Sequence, residues 1–280
     1  MSLKTPGGEG YTDAHPAERT AMKIAISGKG GVGKTTLSAM LASALSLKGG
    51  RVIALDADPD ANLASALGVP IDQQPVPLAE MKDLIAERTG SKSSYGGYFK
   101  LNPKVDDLPE KHAAKIDSIR VLALGGVQKG GGGCICPASA LVKALLTHLI
   151  LGRDESVIMD MEAGIEHLGR ATGQSMDAMI VVVNEGAWSL QTAGRIRTLA
   201  GDIGVRRLFA VANRVAEPEA LEALGERLEG LPLIGHLPYE PRLAGGVARV
   251  GDDGRLVPTD AMTDCLPLIE DILRELQSRI

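Results

Sequence analysis

No apolar run approaches the eighteen or so residues that a membrane-crossing helix requires, and the opening of the chain carries no secretory pattern. Cysteine is scarce, with three in 280 residues, as expected of a protein held in a reducing cytoplasm. A basic cluster is missing too. The formal net charge is −5 and Lys and Arg are scattered, which argues against a nucleic-acid surface. There is no internal repeat. What remains is a soluble globular chain whose 44% hydrophobic content can fill a substantial core. Nothing divides it, so a single domain is expected over 22–280, after a flexible extension over 1–21 that mixes Pro, Gly and charge and should carry little chemistry.

Short β-rich runs alternate with longer helical patterns. The runs cover Met22 to Ser27, Arg51 to Asp56, Ile119 to Leu124, Ser156 to Asp160, Ala178 to Asn184, Leu208 to Asn213 and Leu233 to His236. Helical stretches include Thr35 to Lys48, Leu141 to Leu151, Ser189 to Ile203 and Glu217 to Leu228. This rhythm predicts an α/β fold, a doubly wound and mostly parallel sheet flanked by helices. Four strands end in Ser27, Asp56, Asp160 and Asn213, so these groups should converge on the crevice beyond the carboxyl ends. Pro70 to Asp117 is less regular, with Ser91 to Tyr98 reading as a mobile insertion.

Directly after the first run stands Gly28-Lys29-Gly30-Gly31-Val32-Gly33-Lys34-Thr35-Thr36. This is a phosphate-loop pattern, whose glycines let backbone N–H groups turn inward around phosphate oxygens while the next helix adds its positive end. Lys34 would neutralise β and γ phosphates, and the Thr35 hydroxyl would sit on Mg²⁺. The ligand is then a nucleoside triphosphate. Lys29 is a second ammonium inside the loop, suited to the charge that spreads in phosphoryl transfer.

With Lys29 in that place, the loop resembles the deviant Walker A motif of the family that holds the septum-site ATPases, the chromosome-partition ATPases, the nitrogenase iron protein and the metal-centre maturation ATPases. The resemblance implies that the nucleotide is ATP or ADP and that Lys29 reaches across a two-fold interface to the partner's phosphates, giving an ATP-promoted homodimer. Asp56-Ala57-Asp58-Pro59-Asp60 could merely cap the next helix, but it resembles the family's switch I. By that resemblance Asp58 orients the attacking water or holds Mg²⁺ water, and Asp56 supports the magnesium shell. A carboxylate of ordinary pKa, about 4, is a poor free base, so Asp58 would act by positioning. Val157 to Gly164 resembles the Walker B strand and switch II. Asp160 would meet Mg²⁺ through water and the Gly164 amide would sense the γ phosphate, while Glu162 and His167 either transmit the switch or lie on the surface. Asn213, Arg214 and Pro238 resemble the adenine site, the Asn amide offering donor and acceptor together.

The last segment, Asp260 to Ile280, spaces Leu266, Ile269, Ile272, Leu273 and Leu276 as a helix. A septum-site ATPase would carry a basic amphipathic tail for membrane. Here Asp264, Glu270, Asp271 and Glu275 outweigh Arg274 and Arg279, so a docked helix is expected, without stable membrane insertion.

Cys134-Ile135-Cys136-Pro137 places two thiols behind a glycine run and just before a helix, where thiolate is favoured. Two thiolates are half of a tetrahedral soft-metal site, and a two-fold axis would supply the rest. Ni²⁺, Zn²⁺ or an iron–sulfur cluster suits such a dimer-bridging site by ligand type, with a redox dithiol or inert packing as the other readings. Cys265 reads as packing. The pair resembles the Cys-X-Cys motif of the CooC-type ATPases, which mature the nickel centre of carbon monoxide dehydrogenase, as do Glu80-Met81-Lys82, Leu101 to Asp106 and Asp160 to His167. The resemblance implies an ATP-hydrolysing metallochaperone whose partner is that dehydrogenase. The alternatives are an iron–sulfur carrier or electron-transfer ATPase and, more remotely, a membrane or DNA positioning ATPase.

Overall fold

A computed structural model describes residues 21–91, 98–125, 136–152, 154–163, 168–215 and 217–280. The extension up to residue 20, residues 92–97, the glycine run with Cys134, and Gly164 to His167 lie outside the described residues.

The chain runs β1 (Lys23–Gly28), α1 (Lys34–Leu47), β2 (Val52–Asp56), α2 (Leu63–Ala66), α3 (Lys82–Thr89), α4 (Leu108–His112), β3 (Ala114–Ile116) and β4 (Ile119–Ala123). It continues through α5 (Pro137–Gly152), β5 (Ser156–Asp160), α6 (Arg170–Gln174), β6 (Ala178–Val183), α7 (Ala187–Asp202) and β7 (Leu208–Asn213). Last come α8 (Pro218–Arg227), β8 (Leu233–Leu237), β9 (Ala248–Val250), β10 (Leu256–Pro258) and α9 (Asp260–Arg279).

Eight strands form one sheet in the order β3-β4-β2-β5-β1-β6-β7-β8, parallel throughout except for β3 against β4. The central strands are largely apolar because both of their faces are covered: every residue of β1, β2, β5 and β6 is buried. One face packs α1, α2 and α9, with Ile24, Ile26, Leu37, Ile158 and Ile272 in a common cluster. The other packs α3, α5, α7 and α8, with Leu55, Leu145, Met159, Ile196 and Leu224. The doubly wound sheet is as the alternation of runs implied.

Three features depart from the sequence reading. Pro70 to Asp117 is built into the second cluster, with Leu78 and Leu108 fully buried, and two helices and a strand lie within it. Arg88 there grips Asp107 with both terminal nitrogens at 2.8 Å, holding that carboxyl well below its usual range. Strand β3 and the hairpin β9–β10 were not expected, since three-residue strands carry too little periodicity to register.

The terminal helix docks on the domain as the acidic polar face suggested. Met262, Cys265, Ile269, Ile272, Leu273 and Leu276 are buried against β8 and α1. Burial pushes the Cys265 thiol up, as packing rather than chemistry would. Among the described residues no helix is long and apolar enough to cross a membrane. Helix α9 approaches β8 closely at Gly235, where a Cβ would stand 2.4 Å from Ile272 Cγ1. Gly235→Val should therefore lower stability by about 1–3 kcal/mol through overpacking, read as an earlier urea midpoint. An unchanged midpoint would show that α9 does not sit on this strand.

Candidate nucleotide and metal site

The phosphate loop leaves the sheet at its centre, where β1 lies between β5 and β6. Gly28, Gly31 and Gly33 all have positive φ, and Lys29, Gly30 and Gly31 are exposed. Val32 and Lys34 are buried, and Thr35 and Thr36 half-buried, at the start of α1. Gly33 carries the tightest constraint. Its φ is 99°, and a Cβ there would come within 2.0 Å of Asn213 Nδ2. That amide nitrogen donates to the Val32 carbonyl at 2.7 Å, so the last residue of β7 braces the loop across 181 positions of sequence. The nitrogen keeps one further N–H and the amide its oxygen for any other partner.

Beside the loop, β5 pairs with β1 and β2 so that Asp160 stands opposite Ile26 on one side and Asp56 on the other. Asp160 is fully buried, and neither carboxylate oxygen has a hydrogen-bond partner among the described residues. Thr35 and Ser38 approach it without closing a bond. Ser38 Oγ instead donates to the Lys34 carbonyl at 2.9 Å. Burial pushes Asp160 up to about 7; the Thr35 hydroxyl pulls down, the Asp56 charge adds to the rise, and Lys34 opposes it.

Asp56 is also pushed up to about 6, again chiefly by burial. Its oxygens accept from Leu63 N at 2.7 Å and Asp58 N at 3.1 Å, which oppose the shift, while the charges of Asp58 and Asp60 add to it. Capping of the next turn is therefore a real part of what Asp56 does. Asp58, half-buried, accepts from Asp60 N at 3.1 Å. Ser27 Oγ donates to the Glu162 carbonyl at 2.7 Å, tying the end of β1 to the segment after β5.

At the far side of the loop, Arg214 follows Asn213 with φ 65°, a left-handed conformation rare for a residue with a Cβ. Its guanidinium lies 6.0 Å from the ring centroid of Tyr239, next to half-buried Pro238. Both partners of that pair are exposed.

A family model for the CobQ/CobB/MinD/ParA nucleotide binding domain matches residues 23–249, which contain the loop and all the strand ends just described. The chain belongs to this family. Within it, the carbon monoxide dehydrogenase accessory protein CooC of Rhodospirillum rubrum is 47% identical over 221 residues, covering 78% of this chain and 84% of that protein. An ATP-binding protein of Methanocaldococcus jannaschii is 47% identical over 222 residues, covering 78% and 86%. Among solved structures, the MinC:MinD cell division complex of Aquifex aeolicus superposes with a TM-score of 0.62, at 23% identity, over 93% of this chain and 97% of that one. At that identity the likeness speaks to the fold.

For a member of this nucleotide-binding family, the orphaned Asp160 carboxylate is the informative group. A buried anion without a partner is costly, and an oxygen-only set of Asp160, Asp56 and the Thr35 hydroxyl fits a hard divalent cation such as Mg²⁺. The cysteines divide. Cys136 is half-buried at the start of α5, its carbonyl accepting from Ala140 N at 3.0 Å and its Sγ from Ser139 N at 3.4 Å, which is an N-cap arrangement. Cys134, like Gly164, lies outside the described residues. Among the described residues no three His, Cys, Asp or Glu side chains gather as a metal site.

The brace from Asn213 to Val32 and the approach of Ser38 were not legible in the sequence, since strand order alone brings them to the loop. The pairing of Arg214 with Tyr239 has the same origin. Between about pH 4 and 6 the metal-free protein keeps both raised carboxyls protonated while their unfolded counterparts ionise. The contribution of these two groups to stability should thus be full below about pH 4 and be lost as pH rises through about 6 to 7. Asp160→Asn should flatten that fall in a pH series of denaturant midpoints and abolish the Mg²⁺-dependent gain in nucleotide affinity. A retained Mg²⁺ effect would count against Asp160 as a cation ligand.

Proposed function

We propose that this chain is a Mg²⁺-dependent ATP hydrolase that dimerises with ATP and drives nickel insertion into the active-site cluster of carbon monoxide dehydrogenase. The observation that carries the reading is the 47% identity, over most of both chains, with an accessory protein of that dehydrogenase.

Lys34, buried at the start of α1, holds the β and γ phosphates with the loop amides of Gly28 to Thr36. Lys29, exposed on the same loop, reaches the phosphates bound by the second copy. Asp58 orients the attacking water, a positioning role that its half-buried place beside Asp56 supports. Thr35, Asp160 and Asp56 would hold Mg²⁺, which when bound neutralises charge on the two phosphates. Gly164 follows the γ phosphate. Asn213, through its amide oxygen and free N–H, with Arg214 and Pro238, holds adenine.

Cys134 and Cys136 of two copies form a four-thiolate site at the two-fold axis, able to take Ni²⁺ or Zn²⁺. The N-cap contacts of Cys136 fix where its sulfur stands at the helix start. ATP closes the dimer and so sets the spacing of the four sulfurs, which couples nucleotide state to metal release. Neither nucleic acid nor a membrane enters the cycle: the charge is acidic and the apolar face of α9 is spent on the domain.

Metal titration with and without ATP tests the reading. The wild type should bind one metal per dimer, and Cys134→Ser with Cys136→Ser should bind none. Unchanged stoichiometry would remove the bridging site. Lys29→Ala should lose the ATP-dependent rise in dimer fraction, and Asp58→Asn should bind ATP but turn over roughly 100-fold more slowly; near-normal turnover would release Asp58 from its role.

A further inference from the structure

Strand β4 ends at Ala123, and Leu124 and Gly125 then lead the chain toward Cys134 and Cys136. One short 3₁₀ turn, Leu78–Glu80, touches both ends of that stretch. At the near end the Leu124 carbonyl accepts from Ala79 N at 3.0 Å. Gly125, buried with φ 78°, lies so close that a Cβ on it would stand 2.8 Å from Pro77 Cβ and 3.3 Å from Ala79 Cβ. At the far end the fully buried Leu78 packs the same turn against α5, in a cluster with Leu141 and Leu145. Cys136 stands at the start of that helix.

Leu124 is also tied to the nucleotide edge. Its N–H donates to the Asp56 carbonyl at 2.8 Å, one rung past the pairing of Asp56 with Ala123. A shift of Asp56 as its carboxylate takes up a cation therefore reaches Leu124 through the backbone. The strand end has room to follow. A cavity of about 220 Å³ lies against Val121, Ala123 and Pro77, at a place where close packing would otherwise resist movement.

We propose that Pro77 and Gly125 are positioning residues for the cysteine site, and that the turn after Pro77 passes a nucleotide-driven shift of the β4 end to α5. The inference rests on the ATP-coupled metal site proposed above and deepens it by naming the contact that links the two. Because one turn grips both ends, the cysteine pair moves as a unit relative to its mate in the other copy. A grip at one end alone would leave the shift to be taken up between Gly125 and Cys136. Pro77 suits the contact because its ring fixes φ, here −58°, and so holds its Cβ firmly against a residue that has none. Gly125 is the matching half, since its left-handed φ and the 2.8 Å approach both exclude a side chain.

The test measures Zn²⁺ affinity of the full-length chain by competition with a chromophoric chelator, with and without Mg²⁺ and a non-hydrolysable ATP analogue, beside ATP turnover. In the wild type the two affinities should differ by about tenfold or more. Pro77→Gly, which removes the Cβ that meets Gly125, should bring them to within about twofold of each other, while turnover and nucleotide-free Zn²⁺ affinity stay near wild type. Pro77→Ala keeps that Cβ and should keep most of the difference. Gly125→Ala drives a Cβ into Pro77 and should also lose the difference; adding Pro77→Gly to it should give part back, as residues in contact do. A full wild-type difference in Pro77→Gly or in Gly125→Ala overturns this inference alone, and so does an equal loss in Pro77→Ala and Pro77→Gly. A wild type whose Zn²⁺ affinity ignores nucleotide overturns the coupled metal site and this inference together.

Discussion

Parallel pairing of β1, β2 and β5 makes Ile26, Asp56 and Asp160 finish side by side at one edge of the sheet. Helices on both faces exclude water from it, so a carboxylate placed there loses its hydration without gaining a hydrogen bond, at a cost of several kcal/mol if it is ionised. Taking up a proton relieves the cost in the metal-free protein, and Lys34 offsets part of it. The arrangement is poor for stability and well suited to capturing a cation, which is the usual division at a functional site.

The two halves of the sheet divide the work. On the β2 and β5 side stand the acids, with Asp56 shared between capping a turn and facing the site. On the β6, β7 and β8 side stand the mechanical supports. Asn213 holds the Val32 carbonyl and so fixes the loop from behind, at a point where Gly33 leaves no room for a side chain. Arg214 then takes a left-handed turn and lies over Tyr239, which places a guanidinium and a ring on the same rim as the loop.

The cysteine region meets the nucleotide edge by topology. Helix α5 lies between β4 and β5 in the chain, and a helix that connects two parallel strands starts near the carboxyl end of the first. Cys136, at that start, therefore stands on the same edge as Lys29 and Asp160.

The sequence alone specified the alternation of strand and helix, because strands buried on both faces are largely apolar, and β1, β2, β5 and β6 carry polar residues only at or near their ends. It also determined the phosphate loop, whose glycines, lysine and threonine are needed at adjacent positions and so leave a linear trace. It missed β3, β9 and β10 because three residues carry no period, and it showed Pro70 to Asp117 only as a less regular stretch because Leu78, Val105 and Leu108 are too far apart to form a pattern. Only tertiary structure decided what the charged and polar groups do. Asp160 lost its hydrogen bonds and Asn213 found Val32 because the order of strands set their neighbours, and strand order is fixed by packing across the whole chain rather than by any local run of residues.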